Sequence, residues 1–566
     1  MNLTLLALSF IGILVFAYWT YGSWVAKQFR IDDSRATPAH ELNDGVDFIP
    51  TKPFYLFGQH FSAIAAAGPI AGPILAAQSW GWLPALLWIG FGVVFIGAVH
   101  DFSSLTASVR HQGRSIAEIT REYLGGGAGR AMLVFIWIVL VYVIIAFTQI
   151  TAGTFVSVSE ELQGLDINFN PGGAVAAASI FYLVLSMIMG LVQRYLNPPL
   201  WLVTVIFVPA ALATSWFGTY VSTLFIADVR LWGLLILAYC CVASVMPVWA
   251  LLQPRGYLGG FILYLALGLG VIGVIFGGYA IQLPAFKSFN IGGGTGTLFP
   301  FLFVTIACGA CSGFHGLVCS GTTSKQIDRE SHCKTVGYGA MLAEGFVALI
   351  SLVTIMVITS EQAKGLSAGT IYGNGIGRFM TLLIGEQNLQ FAITFGAMAF
   401  STFVFDTLDV GTRLGRYIVQ EIFGWKGVGG MIGGTLLTIA LPVYVIATAT
   451  GGNLSYVNFW TLFGASNQLL AALTLLSVTV WLANKKQRFG FTLFPMIFVL
   501  VMTMWALGKL TIVNFQASKG LDIAFFNAVA SSALIGLAIY LAITALLKLR
   551  LERGRRLIPD TPAAGD

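Results

Sequence analysis

Charge is the scarcest thing in this chain. Only 10% of its 566 residues are Asp, Glu, Lys or Arg, against about 25% in soluble domains, which excludes an ordinary water-soluble protein. Cysteine is scarce too, at six. Cys240, Cys241, Cys308, Cys311, Cys319 and Cys333 fall mostly inside apolar runs with no framework spacing, so they read as small buried thiols and not as disulfides. The Cys308/Cys311 pair and His100-Asp101 lack a third ligand at metal spacing. No Gly-rich phosphate loop, HExxH or paired CxxC occurs, which sets aside ATP-driven transport within this chain. The expectation is a non-enzyme that carries no metal and no cofactor.

What is abundant is apolar surface: 57% hydrophobic residues and a mean hydropathy of +0.83. With about 20 apolar residues per membrane crossing, fifteen spans are expected, near 3–25, 58–79, 82–109, 131–157, 174–196, 199–217, 231–252, 258–281, 300–321, 336–359, 389–411, 430–450, 457–482, 491–508 and 525–547. The first has no basic leader or small-residue cleavage site and is read as retained. Alternate loops hold 24 of the 30 Lys and Arg residues, and basic loops face the cytoplasm, so the N-terminus is expected outside and the C-terminus inside. The stretch 361–388 could hide a further membrane segment. The net charge of +6 includes a tail with Lys548, Arg550, Arg553, Arg555 and Arg556. That tail suits an anionic lipid surface and calls for no nucleic acid.

Two spans look broken. Residues 58–79 carry two Gly-Pro pairs, Gly68-Pro69 and Gly72-Pro73, and 300–321 carries Gly309, Gly313 and Gly316. Unpaired backbone at membrane depth survives only against protein or a watery cavity, and paired broken helices point to a secondary transporter's binding site. The first break runs from inside to outside and the second, seven spans later, the other way. The expected organisation is a first helix and loop (1–57), two inverted repeats (58–282 and 283–547) and a basic cytoplasmic tail (548–566).

A helix restarting at Pro69 would offer free amides to an anion. Pro73 has none, so Ala71 and Gly72 are the expected donors beside Gly68, with Gln59, Ser62, Ser312, Gly313 and His315 completing a polar pocket. No arginine falls inside a span near the midplane. His60, near the cytoplasmic end of its span, reads as a packing histidine. Acids inside spans are expensive and default to functional candidates. Asp406 and Asp409 lie three apart, ahead of Arg413 and Arg416, which suggests a salt-bridged helix end. Asp406 is one turn deeper and the better proton carrier. Glu344 has no basic neighbour at helical spacing and must pair with another helix or be protonated. Asp101 is the fourth coupling candidate. Asn467, Gln468, Asn458 and Gln149 are candidates for interhelical hydrogen bonds.

Several motifs resemble the carbon starvation protein A (CstA) family. They are Gly58-Gln59-His60-Phe61-Ser62 with GPIAGPILAAQ from Gly68, Gly81-Trp82-Leu83-Pro84, Gly97-Ala98-Val99-His100-Asp101-Phe102, and Cys308-Gly309-Ala310-Cys311-Ser312-Gly313-Phe314-His315 with Ser320-Gly321-Thr322-Thr323. Thr407-Leu408-Asp409 with Thr412-Arg413-Leu414-Gly415-Arg416, and Leu462-Phe463-Gly464-Ala465-Ser466-Asn467-Gln468, complete the set. The matches run from about residue 20 to residue 480, with departures at Cys311, Gly316, Cys319 and Ser324. The resemblance implies an all-α, multi-pass inner-membrane transporter with a LeuT-like core of inverted repeats and two discontinuous helices. It also implies proton-coupled import of pyruvate or a similar small carboxylate, or else uptake of short peptides. Under a LeuT-like core, Ser401, Thr402 and the carbonyls near Ala65 could hold a sodium ion instead. A membrane enzyme or sensor is a minor third reading.

Overall fold

The structure is a computed structural model that describes residues 2–45, 47–65, 67–156, 169–448 and 457–555, without the side chains of 457, 458 and 551–555. The expected Asn458 bond and the end of the basic tail lie outside the described residues. Long apolar runs become helices because a backbone surrounded by lipid must satisfy its own polar groups, and among the described residues there is no strand, only three isolated bridges.

In chain order the helices are α1 (Leu3–Gln28), α2 (Pro53–Ile64), α3 (Gly68–Trp80), α4 (Trp82–Val109), α5 (Ile116–Leu124), α6 (Gly126–Val156), α7 (Pro171–Leu196), α8 (Leu200–Tyr220), α9 (Val229–Val245) and α10 (Leu252–Phe276). After them come α11 (Leu298–Thr305), α12 (Gly313–Gly321), α13 (Lys334–Met356), α14 (Ala368–Ile384), α15 (Leu389–Phe423), α16 (Gly427–Thr448), α17 (Val457–Asn484), α18 (Gly490–Ala517) and α19 (Ile523–Arg555).

The protein is an all-α, multi-pass membrane protein, but the count of fifteen spans is corrected. Among the described residues twelve helices are long and apolar enough to cross a membrane, or thirteen if α2 and α3, bent by 47°, make one span. The other two expected spans are present as shorter pieces: α9 has 17 residues, and 300–321 is divided at its expected break into α11 and α12, of 8 and 9 residues. The stretch 361–388 holds α14, a buried helix capped by Ser367. Its glycine- and hydroxyl-rich face, Gly369-Thr370-Ile371-Tyr372-Gly373-Asn374-Gly375, conceals it from a search for apolar runs.

α6, α13, α15 and α17 form the protein-buried centre, whereas α1, α8, α18 and α19 leave most of their apolar surface at the periphery. α4 and α13, the spans that follow the two broken segments, each contain a π-helical stretch, Val93–Gly97 and Lys334–Gly339. Such insertions re-aim the side chains just beyond them, here Asp101 and Glu344. Between α3 and α4 the chain turns at Gly81, with φ +96°, where a Cβ would stand 2.5 Å from Ala285 O. Only glycine fits there.

Candidate functional site

The two breaks face each other. α2 stops at Ile64 and α3 starts at Gly68; α11 stops at Thr305 and α12 starts at Gly313. A Cβ on Gly68 would lie 2.4 Å from Cys308 Sγ, one on Gly72 would lie 2.8 Å from Thr305 O, and one on Gly309 would lie 3.4 Å from Pro69 Cα. The glycines that read as helix breakers are thus also the places where the two segments touch.

Side chains from neighbouring spans satisfy the interrupted backbone of the second break. Gln468 Nε2 donates to Phe303 O (2.9 Å), Trp460 Nε1 to Thr305 O (2.9 Å) and Trp88 Nε1 to Ile306 O (3.1 Å). At the restart, Asn467 Oδ1 accepts from Phe314 N (2.9 Å), and its Nδ2 reaches Ser312 Oγ (3.0 Å) and Cys308 Sγ (3.3 Å). Adjacent amides on α17 therefore hold both broken ends, the role expected of Asn467 and Gln468. Gln149, by contrast, is buried without a hydrogen-bond partner among the described residues.

At the first break one expected donor is corrected. Ala71 N donates to Ala67 O (2.9 Å), as does Ile70 N (3.2 Å), because the helix restarts at Gly68 and not at Pro69. Gly72 lies inside α3, packed against Thr305. Gln59 is exposed and Ser62 half-buried, and Ser62 Oγ donates to Gln59 O (3.1 Å). Ser312 belongs to the Asn467 network, so the structure does not gather the expected pocket residues into one group.

It does gather His315, Asp101 and Glu344. His100 Nδ1 lies 2.7 Å from Asp101 Oδ1, His315 Nδ1 lies 2.9 Å from Asp101 Oδ2, and His315 Nε2 lies 3.1 Å from Glu344 Oε2. All four side chains are buried. A ring nitrogen that faces an ionised carboxylate oxygen carries the hydrogen between them, and His315 offers one nitrogen to each of two acids. The His315–Glu344 approach is off the hydrogen-bond line, and among the described residues neither Glu344 oxygen has a hydrogen-bond partner. Glu344 thus meets a residue of another helix, one of the two outcomes that its lack of a local partner left open. His60, also buried, bonds Thr323 Oγ1 (2.9 Å), a packing role.

Asp406 and Asp409 form a second cluster, and their partner is a correction. Arg413 turns to Ala243 O (2.8 Å) and Met246 O (2.7 Å), capping α9. The acids pair instead with Arg255, a fully buried arginine in the first turn of α10, just ahead of the expected span 258–281. Arg255 Nε and Nη2 both reach Asp406 Oδ1 (2.8 and 2.5 Å), while Nη1 bonds Asp409 Oδ2 and Tyr239 OH (2.8 Å). Tyr239 OH also donates to Asp409 Oδ2 (2.7 Å). Sequence reasoning missed Arg255 because Gln253-Pro254-Arg255 reads as a loop between two apolar runs; the close-packing Gly259-Gly260 just beyond was the available signal.

For the sodium reading, Ser401 Oγ lies 2.7 Å from Ser179 Oγ and donates to Met398 O (2.9 Å), and Thr402 Oγ1 lies 3.3 Å from Met398 Sδ. Both hydroxyls are engaged within protein. Among the described residues no group of His, Cys, Asp and Glu has a metal-holding arrangement.

The family profile of carbon starvation protein CstA matches residues 1–374 and 363–506. Peptide transporter CstA of Escherichia coli K12 is 33% identical over 574 residues, covering 87% of this chain and 79% of its own. Pyruvate/proton symporter BtsT of the same organism is 31% identical, covering 88% and 80%. Among solved structures, the Eremococcus coleocola manganese transporter is similar at a TM-score of 0.47 and 14% identity, over 90% of this chain and 99% of that one. A profile spanning most of the chain, and relatives matched over nearly four-fifths of their length, place this protein in the carbon starvation protein CstA family.

Proposed function

We propose that this protein is a secondary transporter that imports pyruvate or a similar small monocarboxylate together with a proton, by alternating access. The observation that carries the reading is the meeting of two broken helices, break against break, beside a buried acid–imidazole chain. Broken helices of this kind are where transporters hold substrate and coupling ion. The relative named pyruvate/proton symporter favours this substrate; the relatives named peptide transporter favour short peptides as the second reading.

The four expected proton carriers differ in access. Asp101 and Glu344 are sealed at 0% exposure and Asp409 at 3%, whereas the Asp406 side chain is 27% exposed. Asp406 is the one of the four that protein does not seal. Two inverted repeats, 58–282 and 283–547, are supported by the matching π-helical stretches before Asp101 and Glu344, whose carboxylates meet at His315. With the basic loops placed inside, the chain sits in the inner (plasma) membrane with its N-terminus outside and its C-terminus cytoplasmic.

Uptake of labelled pyruvate and of a labelled dipeptide into proteoliposomes tests the reading. Pyruvate accumulation driven by an inward proton gradient, and indifferent to Na⁺, is expected. Dipeptide accumulation in its place would establish the second reading. A strict need for Na⁺ would move coupling to Ser401, Thr402 and the Ala65 carbonyl region, and no accumulation of either would refute transport of these substrates.

A further inference from the structure

The Arg255 cluster holds more negative than positive charge. One guanidinium faces two carboxylates, deep enough that Arg255 is fully buried, so a further carboxylate can enter only together with a proton or counter-ion. The hydrogen bonds are divided unevenly between the two edges of the guanidinium. On the Nη1 side Asp409 and Tyr239 hold it, and Tyr239 also bonds Asp409. On the Nε–Nη2 side, the edge that receives a carboxylate through two parallel bonds, Asp406 offers a single oxygen to both nitrogens. Its other oxygen, Oδ2, lies over Gly259, 2.9 Å from where a Cβ would stand.

Asp406 is also the exposed member, with its side chain 27% accessible against 0% for Arg255. The next residue of α10, Gly260, leaves the place of its missing Cβ 3.9 Å from Ser62 Cβ at the end of α2. The Nε–Nη2 edge is thus covered by one partly exposed carboxylate, close to the end of α2 in the first broken segment.

We propose that the Nε–Nη2 edge of Arg255 is the carboxylate-binding site of this transporter, and that Asp406 occupies it until Asp406 takes up a proton and yields the edge to the substrate. This assignment rests on the proposed import of a carboxylate and names the groups that recognise it. The charge is conserved: an arginine with two ionised aspartates becomes an arginine with Asp409, a substrate carboxylate and a neutral Asp406. One proton therefore enters with each carboxylate, and the buried charge never changes. The groups facing Asp406 are Arg255 from α10 and Tyr182 from α7, with Asp409 on its own helix; Tyr239 from α9 faces Arg255 and Asp409, Tyr182 OH is committed to Arg255 O (2.8 Å), and Arg413 to the end of α9. Arg255 is the one cation that directly pairs with Asp406 among the described residues. A free monocarboxylate and the C-terminal carboxylate of a peptide share this chemistry.

The test is equilibrium binding to the full-length purified protein of acetate as the minimal carboxylate, of pyruvate, and of a dipeptide with its C-terminal amide, at pH 5.5 and pH 8. Parent affinity for the carboxylates is expected to fall as pH rises, by up to about tenfold per pH unit, since one proton accompanies each ligand. Asp406→Asn mimics the protonated acid, so its affinity should match the parent's at low pH and vary less than twofold across the range. Arg255→Lys keeps the charge but loses the two-pronged edge, and should weaken binding at least tenfold. A dipeptide that binds while its amide does not would identify the peptide as the source of the carboxylate. Carboxylate binding through Arg255 without pyruvate or dipeptide uptake would refute the proposed substrates while upholding the site. No carboxylate bound at pH 5.5, an unchanged pH slope in Asp406→Asn, or Arg255→Lys binding within twofold of the parent would each overturn the assignment. Asp406→Asn retains Arg255 and so decides the matter even if the lysine variant does not fold.

Discussion

Asn467→Ala should be among the most damaging single changes in the buried centre. The side chain makes three hydrogen bonds, to Phe314 N, Ser312 Oγ and Cys308 Sγ, at 2.9, 3.0 and 3.3 Å, and is fully buried. Interhelical polar contacts in membranes average only about 0.6 kcal/mol each, which would total about 2 kcal/mol. The bond to Phe314 N differs, because that amide starts α12 at a break with no turn of helix before it. Leaving a buried amide unpaired costs about 1–3 kcal/mol. The expected loss is therefore about 3–4 kcal/mol, against about 1 kcal/mol for an ordinary exposed cap. Ser312→Ala removes one of the three contacts and should cost about 1 kcal/mol or less. Equilibrium unfolding in mixed micelles, followed by tryptophan fluorescence with Trp460 beside the break as reporter, measures both. If Asn467→Ala unfolds within 1 kcal/mol of the parent, or no more easily than Ser312→Ala, the broken end does not depend on this side chain and the account of the break fails.

The contact between the breaks is testable as a double-mutant cycle: Gly68→Ala would force a Cβ to within 2.4 Å of Cys308 Cβ and should cost about 1–3 kcal/mol. Adding Cys308→Gly should recover at least about 1 kcal/mol of that loss by coupling, and zero coupling would place the breaks apart. His111, just beyond α4, lies with Nδ1 2.6 Å from Ala107 O and Nε2 2.9 Å from Tyr123 OH, and burial holds its imidazole below the usual histidine range. A lowered folded value means that the unfolded chain takes up the proton first, so stability should fall as pH drops below about 6.5. Comparing unfolding midpoints at pH 7.5 and 5.5 should show a shallower dependence in His111→Gln; an identical slope would remove His111 from the account.

The sequence by itself determined the elements of this protein. Apolar run length and glycine-proline spacing are local properties, and lipid enforces them through the need to pair every buried backbone group, so the helices, both breaks and the membrane class were legible. Local pattern failed where an element is not locally apolar: α14 hides behind its glycines. The need for partners was also legible, since an acid such as Glu344 without a neighbour on its own helix cannot stay charged and alone in a low dielectric. Which partner it takes was not. His315 bridges Asp101 and Glu344, Asn467 holds Phe314, and Arg255 rather than Arg413 meets Asp406 and Asp409; these pairs are separated by 29 to 214 residues in the chain. Desolvation fixes that a buried charge must be paired, but only the packing of one helix against another decides which opposite charge comes within reach.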